Sequence, residues 1–125
     1  YRMLMDYTER VERLRRGKIP SKLAVDVANY VQHHLSDAIK TEDIARALYM
    51  SRPYLSKKFK EDTGENIADF ILKEKTEEAK RLIRYSDKSL TAIGAYLGFS
   101  SPSHFSRVFK LYVGSTPREY KERYL

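Results

Sequence analysis

Residues 51–64 read SRPYLSKKFKEDTG, and residues 98–124 read GFSSPSHFSRVFKLYVGSTPREYKERY. Laid over one another, the two stretches repeat. Ile44, Leu48 and Ser51 pair with Ile93, Leu97 and Ser100, each 49 positions on. Leu55, Ser56, Lys57, Phe59, Lys60 and Gly64 pair with Phe105, Ser106, Arg107, Phe109, Lys110 and Gly114, each 50 positions on. The one-residue change of offset falls in a turn, where an insertion is tolerated. Each copy reads as a short helix, a tight turn and a second helix. That second helix has apolar residues on one side and Ser, Lys and Arg on the other. This is the layout of a helix-turn-helix unit, whose second helix enters the DNA major groove. A single copy fits a plain αα-hairpin equally well. Two aligned copies with the same Ser-[Lys/Arg]-x-Phe-Lys run favour the DNA reader.

Working outward, apolar residues recur at three- and four-residue spacing almost throughout, which predicts an all-α chain of about eight helices. One covers roughly 2–16 and stops at Gly17. A second follows Ser21, a residue suited to capping, and runs to about 35 with Leu23, Val27, Tyr30, Val31 and Leu35 inward. A third spans about 41–48, with Glu42 and Asp43 where the helix dipole favours acids and Ile44, Ala45 and Leu48 inward. Ser51 caps a helix that ends by Gly64. Asn66 caps a long one over 67–85, buried through Ile67, Phe70, Ile71, Ala79, Leu82 and Ile83. Ser89 caps a short one that closes at Gly98. Pro102 opens the next, which ends at Gly114, and Thr116-Pro117-Arg118-Glu119 is a capping box that starts the last. The long helix has some 19 residues, and at about 1.5 Å each it spans roughly 28 Å. Two recognition helices on one face of DNA sit about one turn, roughly 34 Å, apart. One chain is thus expected to reach two successive major grooves with the long helix as spacer. The predicted divisions are an N-terminal helix or linker over 1–20, a first subdomain over 21–65, a linker helix over 66–86 and a second subdomain over 87–125.

Composition agrees with this. The chain has 125 residues, 42% hydrophobic and 33% charged, which suits a globular domain rather than a disordered chain. With 24 Lys+Arg against 17 Asp+Glu the formal net charge is +7, so a polyanion is the favoured partner, nucleic acid first and an anionic membrane surface second. Cysteine is absent, which removes disulfides, thiolate catalysis and cysteine-based metal sites. No apolar run approaches the ~20 residues that span a bilayer, and a cytoplasmic, nucleoid-associated location is the expectation. The chain begins at Tyr1 rather than Met, and is read as part of something longer.

The run from Gly98 to Tyr124 closely resembles the signature of AraC/XylS-type transcriptional regulators: Gly-Phe, a few polar residues, Phe-Ser-Arg-x-Phe-Lys, then Gly-x-Thr-Pro-x-x-Tyr-Arg. SRPYLSKKFKEDTG resembles the family's first unit, and KTEEAKRLI (Lys75 to Ile83) its linker helix. The resemblance covers about residues 21–124. It implies a seven-helix domain of two helix-turn-helix subdomains, to which residues 1–20 add an extra helix. It also implies sequence-specific binding of double-stranded promoter DNA in a bacterium, with activation through contact with RNA polymerase. Some positions depart from the pattern. Lys75 and Lys121 stand where Arg is usual and lack its bidentate fork. Gly94 replaces Ala, which lowers helix propensity by up to about 1 kcal/mol. Lys40 takes the place of an N-cap Ser or Thr, so Thr41 or solvent is expected to serve that helix end.

Carried over by position, the family's base-contacting sites fall on Pro53, Ser56 and Lys57, with Arg52 beside them. Lys57 reaches guanine O6/N7, and Pro53 suits a thymine methyl. Arg52 and Lys60 are expected on phosphates, which fix register rather than sequence. In the second unit the base-contact candidates are Pro102, Ser103 and Arg107, with Ser106 and Lys110 toward the backbone. Arg107 is the leading candidate for a bidentate contact to guanine, its alternatives being a phosphate or an internal salt bridge. Pro102 and Ser103 are short, so direct readout there is expected to be sparse and DNA shape to carry more. Thr41 and Ser89, at the starts of two short helices, are further backbone candidates.

His104 is expected beside Phe105 or the backbone. The adjacent His33 and His34 diverge by about 100° on a helix and do not suit one metal. Tyr30, Tyr54, Tyr96 and Tyr120 are read as packing. No nucleophile–base pair, phosphate-cradling loop or paired carboxylates stand out, so neither an enzyme nor a metal or cofactor site is expected. The competing readings are a basic helical module for an acidic protein partner and a bundle on a membrane surface; neither needs two equivalent units. Leu4, Tyr7, Val11 and Leu14 line a seam on the first helix. It fits the tail of an upstream dimerisation or effector domain, which is favoured, or a helix folded back on the domain.

Overall fold

The computed structural model describes residues 20–124. Seven helices follow one another: α1 (Lys22–His33), α2 (Thr41–Ala47), α3 (Arg52–Thr63), α4 (Ile67–Tyr85), α5 (Leu90–Tyr96), α6 (Pro102–Val113) and α7 (Pro117–Arg123). No strand occurs among the described residues. The helix expected over 2–16, with its Leu4, Tyr7, Val11 and Leu14 seam, lies outside them.

Local chemistry sets the boundaries. The side chains of Ser21, Ser51, Ser89, Ser101 and Thr116 each accept a hydrogen bond from the backbone three residues on, satisfying one of the donors a helix start leaves open. Asn66 Oδ1 accepts from the Ala68 N–H at 2.7 Å. At α7 the capping box is complete: Thr116 N–H donates to Glu119 Oε1 at 2.8 Å, which holds the Glu119 carboxyl below its usual range. α2 departs from expectation. Lys40 provides no side-chain cap; the Asp43 carboxylate instead reaches back to accept from the Lys40 N–H at 3.0 Å, and the Asp43 N–H donates to the Lys40 carbonyl at 3.0 Å.

The chain forms two compact units that divide within α4, between Ile71 and Leu72. By this division the first turns of the long helix go with unit 1 and the rest with unit 2, and residues 35–38 group with the second unit. Unit 1 packs α1, α2, α3 and the first turns of α4. Val27, Val31, Ile44, Leu55, Phe59 and Phe70 are all but inaccessible, and the Phe59 and Phe70 rings meet edge to face at 5.3 Å. Ala24 and Ala28 share this core, while Leu23, Tyr30 and Leu48 are only half-buried.

Unit 2 is built on a run of rings. Phe99 meets Phe105 at 5.1 Å, Phe105 meets Phe109 at 5.8 Å, and Phe109 meets Tyr120 at 5.5 Å. Such tilted and edge-on pairs add about 0.5–1.5 kcal/mol each beyond burial. A buried lysine ties this unit together. Lys75 is 4% exposed, and its three ammonium donors go to the carbonyls of Leu35 at 2.7 Å, Asp37 at 2.6 Å and Leu97 at 2.6 Å. A fork would not serve three separate acceptors in this way; a compact ammonium with three rotatable donors does. Burial pulls Lys75 down to about 8, against the opposing pull of Asp37.

Candidate nucleic-acid interface

The two units carry the same turn. In unit 1, α2 ends with the Tyr49 N–H donating to the Arg46 carbonyl at 3.3 Å and the Met50 N–H to that of Ala45 at 3.0 Å. In unit 2, α5 ends with Gly98 donating to Ala95 and Phe99 to Gly94, both at 3.1 Å. Both are Schellman closures, which need a left-handed residue just past the helix. That residue is Gly98 with φ 81° in unit 2 and Tyr49 with φ 58° in unit 1. The turns then differ by one residue. The N-cap of α3 is Ser51, and that of α6 is Ser101. Ser51 thus corresponds to Ser101, not to Ser100 as the sequence alignment had it, and Ser100 is the inserted residue.

The similarity also runs further than the aligned sequence. Asn66 and Thr116 are equivalent caps, Phe70 and Tyr120 are both buried, and Phe59–Phe70 is matched by Phe109–Tyr120. The start of α4 is therefore the counterpart of α7.

With these turns fixed, α3 buries Leu55 and Phe59, and α6 buries Phe105, Val108 and Phe109. Positions three and four apart share a helix face. The outer face of α3 carries Arg52, Pro53, Lys57 and Lys60 exposed, with Ser56 half-buried. That of α6 carries Pro102, Ser103, Arg107 and Lys110 exposed, with Ser106 half-buried. Lys57 and Arg107 each stand six residues past their caps. Among the described residues no acid forms an ion pair with Arg52, Lys57, Lys60, Arg107 or Lys110, so the internal salt bridge considered for Arg107 is not made there. Lys58, on the half-buried flank of α3, is instead 3.3 Å from Asp62.

Thr41 is half-buried in the first turn of α2. Ser89 is exposed, with its hydroxyl accepting from Ala92 at 3.1 Å. Tyr54 and Tyr96 correct the expectation that they pack: they are 55% and 48% exposed, and Tyr54 joins the outer surface of α3. His104 meets Phe99 rather than Phe105, at 5.4 Å, and its Nδ1 lies 3.2 Å from Ser100 Oγ. His33 and His34 each direct Nδ1 at the carbonyl four residues back, Asn29 and Tyr30, and no cluster able to hold a metal forms among the described residues.

A tight backbone turn, a capped helix and an unpaired cation at matching places are what a major-groove reader presents. The family described as "Helix-turn-helix domain" matches residues 44–123, which takes in both units. The regulatory protein PocR of Salmonella typhimurium is 34% identical over 109 residues, 86% of this chain. The chain belongs to the AraC-type helix-turn-helix family. Among solved structures, the C-terminal domain of AraT, a response regulator from Geobacillus stearothermophilus, aligns with a TM-score of 0.79 at 25% identity, covering 85% of this chain and 88% of that one. The DNA-binding domain of AdpA, solved in complex with a target DNA, aligns with a TM-score of 0.74 at 30% identity, covering 82% of this chain and 91% of that one. The chain spans 36% of the length of PocR. Among the described residues, no helix of this AraC-type domain is long and apolar enough to cross a membrane.

Proposed function

We propose that this chain binds double-stranded DNA sequence-specifically as the DNA-reading part of a transcription regulator, with α3 and α6 in successive major grooves. The observation that carries the proposal is the pair of equivalent exposed faces, each with an unpaired cation six residues past a serine cap. In this reading Arg107 forks onto a guanine, Lys57 reaches a guanine as a point charge, and Pro53 meets a thymine methyl. Ser56, Pro102 and Ser103 contribute short-range contacts, and DNA shape supplies much of the selectivity near α6. Arg52, Lys60, Ser106 and Lys110, with Thr41 and Ser89 at the helix starts, hold the phosphate backbone. A full-length protein of PocR-like size leaves room for an upstream effector or dimerisation domain. RNA polymerase is the partner through which bound regulator would activate transcription.

Selection of bound duplexes from a random pool, followed by mobility shifts on the winner and on a scrambled duplex, tests this. The pool is expected to yield two conserved half-sites about one helical turn apart. Affinity is expected to fall steeply with salt. Arg107→Ala is expected to lose about 1–3 kcal/mol of discrimination at one base position. Lys60→Ala is expected to weaken both duplexes alike. A pool that yields no consensus sinks the sequence-specific reading and leaves a basic module that recognises charge only.

A further inference from the structure

A groove runs beside α6 in unit 2. One hollow of about 280 Å³ has Thr91, Pro102, Ser106 and Arg118 on its walls. A second, of about 390 Å³, continues it past Arg118 to Lys121. Leu90, Thr91 and Arg118 line both, so the two hollows adjoin between the start of the recognition helix and the side of α7, and are together termed the channel beside α6. Arg118 is exposed and makes no ion pair among the described residues. Its one acidic companion in the channel is Glu122, at the far end from α6.

Unit 1 supplies the contrast. Thr116-Pro117-Arg118 corresponds to Asn66-Ile67-Ala68, fifty positions earlier, each opening with a side chain that caps the helix, Asn66 accepting from the residue two on and Thr116 from the residue three on. Thr91 corresponds to Glu42, 49 positions earlier. Where unit 2 has a guanidinium and a hydroxyl, unit 1 has a methyl group and a carboxylate. The shared fold therefore does not require the basic character of this groove.

We infer that the channel beside α6 is a phosphodiester-binding site in which Arg118, with the hydroxyls of Thr91 and Ser106, grips one backbone phosphate next to the base-reading face. A guanidinium and two hydroxyls on the walls of one hollow supply donors of the kind a phosphate's oxygens take, and a guanidinium bond to phosphate is among the stronger hydrogen bonds proteins make. The inference rests on the DNA-binding proposal and adds an arm to unit 2 that unit 1 lacks. Such a contact positions the protein and carries no base information.

Salt titrations of binding by the full chain, on a pool-selected duplex and a scrambled one, test it. Arg118→Ala is expected to weaken both duplexes by a similar factor and to reduce the slope of log K against log salt by about 0.9, the signature of one phosphate. Thr91→Glu, which installs the residue of unit 1, is expected to weaken both duplexes in the same way. Arg118→Lys is expected to keep the slope, which separates charge from any effect on folding. On the parent protein, a single uncharged methylphosphonate beside the second half-site is expected to reproduce the loss, with no further loss in Arg118→Ala. An unchanged slope in Arg118→Ala, or a loss confined to the selected duplex, overturns the phosphate site while DNA binding stands. A parent that binds neither duplex overturns the DNA-binding proposal and this inference together.

Discussion

The turns of the two units make the same hydrogen bonds from different residues. In unit 1 the left-handed position is Tyr49, 97% exposed, so its side chain is held by almost nothing. In unit 2 it is Gly98, and a Cβ there would stand 2.8 Å from the Asp37 carbonyl oxygen. The neighbouring Leu97 carbonyl is gripped by Lys75, which also holds Leu35 and Asp37. One turn hangs in solvent and tolerates a strained tyrosine; the other is clamped against a backbone segment and admits only glycine. A repeated motif thus keeps its hydrogen-bond geometry while its tolerance to substitution is decided by what packs behind it.

The largest effect that tests this contrast comes from Gly98→Ala. The new side chain meets a backbone oxygen that Lys75 holds in place, at a φ that disfavours any Cβ. Backbone strain of about 1–3 kcal/mol and overpacking of a similar size are expected to sum to roughly 2–6 kcal/mol. The mirror change, Tyr49→Gly, removes strain and no contact. It is expected to stabilise by about 0.5–1 kcal/mol after the added freedom of the unfolded chain is counted. Urea midpoints of both variants decide the matter; equal and small effects would mean that the two turns are equivalent after all.

A smaller effect concerns how each recognition helix seats on the helix before it. A Cβ on Gly94 would lie 3.0 Å from Phe105 Cγ and Cδ2 and 3.1 Å from its Cβ, near the root of the side chain where it has least room to swing away. The equivalent residues in unit 1 are Ala45 and Leu55, both buried. Glycine against phenylalanine and alanine against leucine read as two solutions to one volume. Gly94→Ala gains up to about 1 kcal/mol of helix propensity but overpacks by about 1–3 kcal/mol, so a net loss near 1 kcal/mol is expected. In a Phe105→Leu background the same change is expected to turn stabilising. A double-mutant cycle without that reversal of sign would show the two positions to be uncoupled.

What could be read from the sequence, and what could not, divides along the same line. Ser21, Ser51, Ser89 and Thr116 marked helix starts correctly, and Gly64, Gly98 and Gly114 marked ends, because capping is settled within four residues of chain. The base- and phosphate-facing candidates on α3 and α6 were found on the outer faces because helical periodicity alone puts them opposite Leu55, Phe59, Phe105 and Phe109. Tyr49 gave no sign of a left-handed turn, since that position is normally announced by glycine. Ser100 and Ser101 are the same residue type, so the alignment could not say which one caps. The burial of Lys75 was hidden because its acceptors lie 40, 38 and 22 residues away in sequence. Arg118 was absorbed into a capping motif, and only the groove that joins it to Ser106 sets it beside the recognition helix.

The clamp behind Gly98 also makes a prediction in pH. Burial lowers Lys75 to about 8, whereas a lysine in an unfolded chain titrates near 10.4. Between those values the unfolded chain binds more protons than the folded one, so this residue's contribution to stability rises with pH. Below about pH 8 both states carry the charge, and the full penalty of burying it is present and constant. Above it the folded state sheds the proton first and the penalty shrinks, on the order of 1 kcal/mol between pH 7.5 and 9. Lys75→Met leaves three carbonyls without a donor at every pH, a loss that does not itself titrate. The stability of the parent relative to Lys75→Met, from urea midpoints at pH 7.5, 8.25 and 9, is therefore expected to climb with pH, and the other titrating groups largely cancel in the difference. A difference that falls instead would mean that the three carbonyls hold the ammonium form more strongly than burial opposes it. The clamp in unit 2 would then loosen in alkali, while the turn of unit 1, which has no such lysine, would not change.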